Sequence, residues 1–154
     1  MHPDKIKILR KEIDTLLELG IIRPSQSCYA SPCILIDKPD GGVRLVIDFY
    51  LLNKNCYSQV HSIPRIDELI DKVGQAKFLA RLDLTKAYWN ILLDEESIQY
   101  TGFVTSNYKF FEWLRLPFGI SAAFSTFNSI VSQVLKDLPY TAGYFDDVLI
   151  HSDA

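Results

Sequence analysis

Near the start of the chain apolar residues return every third or fourth position, at Ile6, Leu9, Ile13, Leu16 and Leu17, with charged residues between them and Gly20 behind. That spacing puts them on one face of a 3.6-residue helix, and it predicts an amphipathic helix over residues 4–19 that covers a sheet. After a loop from Pro24 to Pro32 the pattern changes to β-rich runs. Cys33-Ile34-Leu35-Ile36 and Val43-Arg44-Leu45-Val46-Ile47 flank Lys38-Pro39-Asp40-Gly41-Gly42, whose Pro, Asp and Gly supply turn dihedrals, so a hairpin is predicted. A short helix should follow Pro64, with Ile66, Leu69, Ile70 and Val73 inward and Gly74 as its stop. From Phe78 the period becomes two: Phe78, Ala80, Leu82 and Leu84 fall on one side of a strand, and Leu79, Arg81 and Asp83 on the other. Thr101 to Thr105 and Lys109 to Trp113 read as a second hairpin around Ser106-Asn107. Ser121 is placed to cap a helix that turns Phe124, Phe127, Ile130, Val131, Val134 and Leu135 inward. Tyr140 to Ser152 reads as two short strands about a tight tip at Asp146-Asp147.

Helices and antiparallel hairpins mix here without regular βαβ alternation, so the predicted class is α+β. With 154 residues and 48% hydrophobic content the chain has enough apolar material for one domain, or two small lobes sharing a core. No internal repeat or low-complexity stretch interrupts it. No run approaches the roughly 18 apolar residues of a membrane span, and the opening Met1-His2-Pro3-Asp4-Lys5 lacks a signal-type apolar segment. An intracellular setting without a membrane partner is the expectation. Cys28, Cys33 and Cys56 form no CxxC pair, and His2, His61 and His151 are scattered, which argues against zinc or a disulfide framework. The net charge of −3 argues against a surface made wholly for phosphate backbones. Lys5, Lys7, Arg10 and Lys11, like Asp94, Glu95 and Glu96, read as solvated helix faces.

Candidate chemistry gathers at Tyr144-Phe145-Asp146-Asp147, followed by the apolar Val148-Leu149-Ile150. Adjacent carboxylates are costly to bury, so the pair belongs at a turn where water or a cation meets it. An Asp-Asp at a hairpin tip is also a common turn former. Asp83, on the polar side of another strand, supplies a third acid, and three carboxylates brought together repel unless a cation offsets them. That set suits two-magnesium phosphoryl transfer, because hard cations prefer carboxylate oxygen and must clamp both attacking and leaving oxygens. Tyr88 is either a ring beneath a nucleotide sugar or core packing. Lys38 and Arg44 either neutralise a triphosphate or are exposed hairpin charges. Leu116-Pro117-Phe118-Gly119 is a rigid turn whose Gly permits close approach of backbone to a ligand. Asn53, Gln59 and Asn90 carry no assignment.

Taken in order, these segments resemble the reverse transcriptase of gypsy-type long-terminal-repeat retrotransposons, relatives of the retroviral polymerases. The matching stretches are Gly20-Ile21-Ile22-Arg23-Pro24-Ser25, Tyr29-Ala30-Ser31-Pro32, Lys38 to Arg44, Asp48-Phe49 with Leu52-Asn53-Lys54, Ile63 to Leu69, Leu82-Asp83-Leu84 with Ala87-Tyr88, Leu116 to Gly119, and Tyr144 to Asp147. The resemblance covers about Leu17 to Ser152. It implies a right-hand polymerase's fingers and palm without a thumb: one fragment over 1–154, residues 1–78 mainly fingers and 79–154 mainly palm, with part of the fingers around 95–116. The palm would be an antiparallel sheet backed by helices. It also implies Asp83, Asp146 and Asp147, with the Leu84 carbonyl, as ligands of magnesium, or of manganese in its place. Lys38 and Arg44 would lie near the incoming triphosphate, Tyr88 at its sugar, Phe118 and Gly119 near the nascent base pair, and Tyr144 and Phe145 at the primer and template.

The implied reaction is attack of a primer 3′-hydroxyl on the α-phosphate of a deoxynucleoside triphosphate, copying an RNA or DNA template. Thumb, connection and ribonuclease H regions would belong to a parent polyprotein, and much of the basic duplex-holding surface with them. The chain departs from the family at Tyr50, where Arg is usual, and at Phe124, where Pro is usual. Two other readings stand beside the polymerase: a retrotransposon-derived remnant, weak or inactive, that acts as a binding or interaction protein, and a metal-dependent nuclease or phosphatase using the same acids.

Overall fold

The computed structural model describes residues 3–37, 39, 43–57, 66–107, 109–144 and 146–152, and of Pro3, Ile66, Lys72 and Tyr144 the backbone only. Its elements run α1 (Pro3–Glu18), β1 (Ile22–Pro24), β2 (Ser31–Asp37), β3 (Val43–Ile47), α2 (Tyr50–Asn55), α3 (Ile66–Val73), β4 (Phe78–Asp83), α4 (Glu95–Ile98), β5 (Phe103–Val104), β6 (Phe110–Trp113), α5 (Ala123–Leu135), β7 (Thr141–Tyr144) and β8 (Asp147–Ser152). They divide into two compact units, one of Met1–Cys56 with Tyr88–Ser121, the other of Tyr57–Ala87 with Ala122–Ala154.

The first unit is built on a five-stranded sheet in the order β1-β6-β5-β2-β3. Both expected hairpins are present: β2 and β3 pair antiparallel from Cys33 opposite Ile47 to Asp37 opposite Val43, and β5 pairs antiparallel with β6. One pairing escaped the pattern. Ser31 and Pro32 run parallel to Phe103 and Val104, joining the hairpins into one sheet through a contact too short to leave a periodic signal. Helix α1 buries Leu9, Ile13 and Leu16 in a cluster with Ile22, Ile47, Phe49, Phe103, Phe111 and Trp113. Each such side chain contributes about 1.5–3 kcal/mol on leaving water. The helix stops where Gly20 adopts φ +62°: the Gly20 N–H donates to the Leu17 carbonyl and the Ile21 N–H to that of Leu16, satisfying the last turn. Glu112 is buried on β6 but matched, accepting from Arg23 Nε at 2.7 Å and from the Ser25 hydroxyl at 2.6 Å. Hydrogen bonds from Glu95 first, then Glu112, hold the Arg23 guanidinium above its ordinary pKa.

The second unit carries a three-stranded antiparallel sheet in the order β4-β8-β7, with α5 packed on β7. A Cβ at Gly143 would lie 2.8 Å from Val131 Cγ1 and 3.2 Å from Leu135 Cδ1, so this residue lets helix and strand approach. Three expectations are corrected here. Ser121 does not cap α5: Ala122 occupies the N-cap without a side-chain bond, and the Ser121 N–H donates to Asn53 Oδ1 at 2.8 Å. The inward stripe of α5 is Ala123, Phe127, Val131 and Leu135, four residues apart, which turns Ile130 and Val134 outward. Ile70 on α3 is 57% exposed rather than inward. The alternation along β4 holds in the register, yet every residue of that strand is exposed. No helix among the described residues is long and apolar enough to cross a membrane.

Candidate active site

The acids come from the pairing of β4 with β8. Register sets Asp83 opposite Asp147, Leu82 opposite Val148 and Arg81 opposite Leu149. Directly paired residues of an antiparallel ladder share a face, with Cβ atoms roughly 4.5–5.5 Å apart, so the carboxylates of Asp83 and Asp147 stand side by side. Beyond β4 the Leu84 N–H donates to the Asp146 carbonyl at 2.9 Å, and on the other side of β8 Tyr144 of β7 pairs with Asp147. Asp146 therefore sits in the turn that the sequence assigned to it, and Asp147 opens β8.

Two like charges side by side need compensation, and Arg81 supplies it. Its Nε lies 3.3 Å from Asp147 Oδ1, from the position two residues before Asp83 on the same face. Sequence reasoning placed Arg81 on this face without giving it a role. Among the described residues no group of three or more His, Cys, Asp or Glu side chains is arranged to hold a metal ion. Strand pairing brings two acids together, while Asp146 is fixed through its main chain and not by register.

The donor set nevertheless fits a hard divalent cation: paired carboxylates on one face, a third acid adjacent in sequence, and main-chain carbonyl oxygen nearby are the oxygen ligands that magnesium or manganese takes. Asp83, Asp146, Asp147 and the Leu84 carbonyl are the atoms that would hold it.

In the first unit three more of the expected residues meet. The Arg44 guanidinium lies over the Phe118 ring, 5.6 Å from its centroid, and the Tyr88 ring stands edge-on to Phe118 with centroids 4.8 Å apart. Arg44 is exposed at the sheet edge and Phe118 at a turn, so this cation-aromatic group faces solvent. Gly119 adopts φ +95°, which only Gly tolerates without strain. Asn53, unassigned from sequence, holds this turn: its Nδ2 donates to the Gly119 carbonyl at 2.8 Å and its Oδ1 accepts the Ser121 N–H. An Asn within a six-residue helix carries no periodic signal, and only the tertiary contact reveals it. Lys38, Phe145 and the side chain of Tyr144 lie outside the described residues, as do Asp40, Gly41, Gly42 and Gln59. Tyr50, at the departing position, is exposed beneath the Lys54 ammonium, 4.4 Å from its ring centroid.

Residues 36–154 match the family described as reverse transcriptase (RNA-dependent DNA polymerase). The chain belongs to the reverse transcriptase family. Its relatives include the retrovirus-related Pol polyprotein of transposon gypsy from Drosophila melanogaster, 37% identical over 94% of this chain and 15% of the relative. Polyprotein P3 of Commelina yellow mottle virus is 32% identical over 98% of this chain and 9% of its own length. The chain thus spans a small part of these relatives. Its fold is that of the prototype foamy virus protease-reverse transcriptase, with a TM-score of 0.87 at 27% identity, covering 100% of this chain and 21% of that one. A structure of a foamy viral protease-reverse transcriptase with an RNA/DNA hybrid superposes with a TM-score of 0.88 at 23% identity, again over 100% of this chain and 21% of that one.

Proposed function

We propose that this reverse transcriptase segment carries the nucleotidyl-transfer centre of an RNA-directed DNA polymerase, with Asp83, Asp146 and Asp147 as the acids. The observation that carries the reading is the register of β4 on β8, which sets Asp83 against Asp147 and ties Leu84 to Asp146 in a chain of this family.

In the reaction the primer 3′-oxygen forms a bond to the α-phosphorus of a deoxynucleoside triphosphate as the bond to pyrophosphate breaks. When bound, magnesium supplies Lewis acidity, favouring the 3′-alkoxide and offsetting charge on the phosphates. Asp83, Asp146 and Asp147 would offer carboxylate oxygens to the metal at the end of the β4–β8 ladder. Arg44 offers a planar fork to phosphate oxygens, for which its stacking on Phe118 pre-orients it. The Tyr88 ring, braced by Phe118, provides a flat apolar surface for a sugar lacking a 2′-hydroxyl. Template and primer are RNA or DNA strands, the class of partner bound by the foamy viral relative in complex with an RNA/DNA hybrid.

Primer extension on an RNA template with magnesium tests this directly. Weak, distributive synthesis is expected from the segment, and Asp146→Asn should lower it at least about 100-fold, the scale of losing one group that stabilises developing charge. Synthesis indifferent to that substitution removes the assignment. The Arg81 contact with Asp147 favours a second reading, a remnant that binds nucleic acid or protein without catalysis. Magnesium with deoxynucleotide binding equally to wild type and Asp83→Asn in calorimetry would select it.

A further inference from the structure

Beyond the polymerase residues, the first unit contains a cavity of about 660 Å³ between α1 and the turn that joins β5 to β6. That volume lies within the range of about 300–1,000 Å³ typical of small-molecule sites. Its floor is apolar, made by the core side chains Leu9, Ile13 and Phe111 with Leu17 and Phe110 beside them. Its rim is rich in donors. Arg10 and Lys109 both line it, and neither side chain has an ion pair or hydrogen bond among the described residues. Asn107 also lines it. Its Oδ1 accepts the Thr105 hydroxyl at 2.6 Å, so its amide N–H groups are what it has left to offer. Asp14 is the one carboxylate on the lining among the described residues. Two cations against one anion leave a single net positive charge at the mouth, which suits a monoanion better than a cation or a dianion.

We infer that this cavity binds a small amphipathic carboxylate, with its hydrocarbon or aromatic body on Leu9, Ile13 and Phe111 and its anionic head at Arg10, Lys109 and the Asn107 amide. Burial of the body supplies affinity, and the charge-assisted bonds fix orientation. A neutral molecule of the same length gains only the first contribution, and a short carboxylate only the second.

Calorimetry on the whole chain, with laurate below its micellar concentration, dodecan-1-ol and acetate as probes, separates these contributions. Laurate is expected to bind one to one, dodecan-1-ol at least about tenfold more weakly, and acetate not at all. The double variant Arg10→Gln, Lys109→Gln should weaken laurate about tenfold and leave dodecan-1-ol unchanged. If that variant loses its helical circular dichroism, Lys109→Gln alone, on an exposed turn residue, takes its place. Equal affinity for laurate and dodecan-1-ol, laurate binding untouched by the variants, or no laurate binding by wild type overturns the inference. So does self-association abolished by the same variants, which would give the groove to a second copy of the chain.

Discussion

In the proposed centre, Arg81 is the side chain that competes with a metal for Asp147. It neutralises Asp147 from the same face, so a divalent cation entering between Asp83 and Asp147 has to displace the guanidinium. The guanidinium is exposed and Asp147 only partly covered, and ion pairs open to solvent contribute about 0–1 kcal/mol. Arg81→Gln should therefore tighten manganese binding, followed by calorimetry or relaxation enhancement, by no more than about fivefold; weaker binding would mean that Arg81 supports the site. Cys33 gives a second residue-scale expectation. Burial pushes its thiol above the ordinary 9.0, opposing ionisation, whereas Cys28 is exposed. A raised pKa means that the thiol's contribution to stability is complete below pH 9.0 and declines as pH rises through the folded value. Urea melts at pH 8 and 10 should show a larger loss for wild type than for Cys33→Ala, and iodoacetamide should modify Cys28 well before Cys33. Equal rates for the two thiols would contradict the burial. The candidate acids stand out in the sequence because carboxylates among strand-forming residues conflict with a buried core. The Arg81 and Asn53 contacts do not, since each depends on a partner that only pairing or tertiary packing brings near.

Among elements, the junction of α5 with β7 is sensitive to a single atom. Val131 is β-branched and stiff at χ1, so it cannot swing away from a methyl group at position 143 as a longer side chain would. Gly143→Ala should cost about 1–3 kcal/mol in urea denaturation, the scale of overpacking, and Val131→Ala in the same chain should recover part of it. Additive losses in the double variant would place the strain elsewhere. This contact also explains why the helical face was misjudged from the pattern. The run Phe124, Phe127, Ile130, Val131, Val134, Leu135 is apolar over more than half the helix circumference, so periodicity permits several inward faces. The small residue at Gly143 selects the stripe through Val131 and Leu135, and Ile130 and Val134 turn out. By contrast α1 was read correctly to within a residue at each end, because its stripe is narrow, its other face is charged and Gly20 marks its stop.

At the scale of the whole molecule, exposed apolar surface outweighs what charge can keep apart. On the edge strand β4, Phe78 is 63% and Leu82 52% exposed, and on α5 Val134 is 70% exposed. Alternation predicted the two faces of β4, but periodicity reports which residues share a side and not whether anything covers that side. An open strand edge flanked by apolar side chains is a template for pairing with another copy, and a net charge of −3 spread over 154 residues opposes it weakly. Sedimentation velocity should show association that grows with protein concentration. It should strengthen in ammonium sulfate, as apolar burial does, where an ion-paired assembly would be screened by salt. Phe78→Lys puts a charge on the edge strand on the face opposite Asp83, so it should disperse the assemblies without touching the carboxylates. A chain that sediments as a monomer at every concentration, in low and high salt alike, would show that the β4 edge and the outer face of α5 are not sticky. Loss of association together with loss of magnesium binding in Phe78→Lys would show instead that the two faces of β4 are coupled.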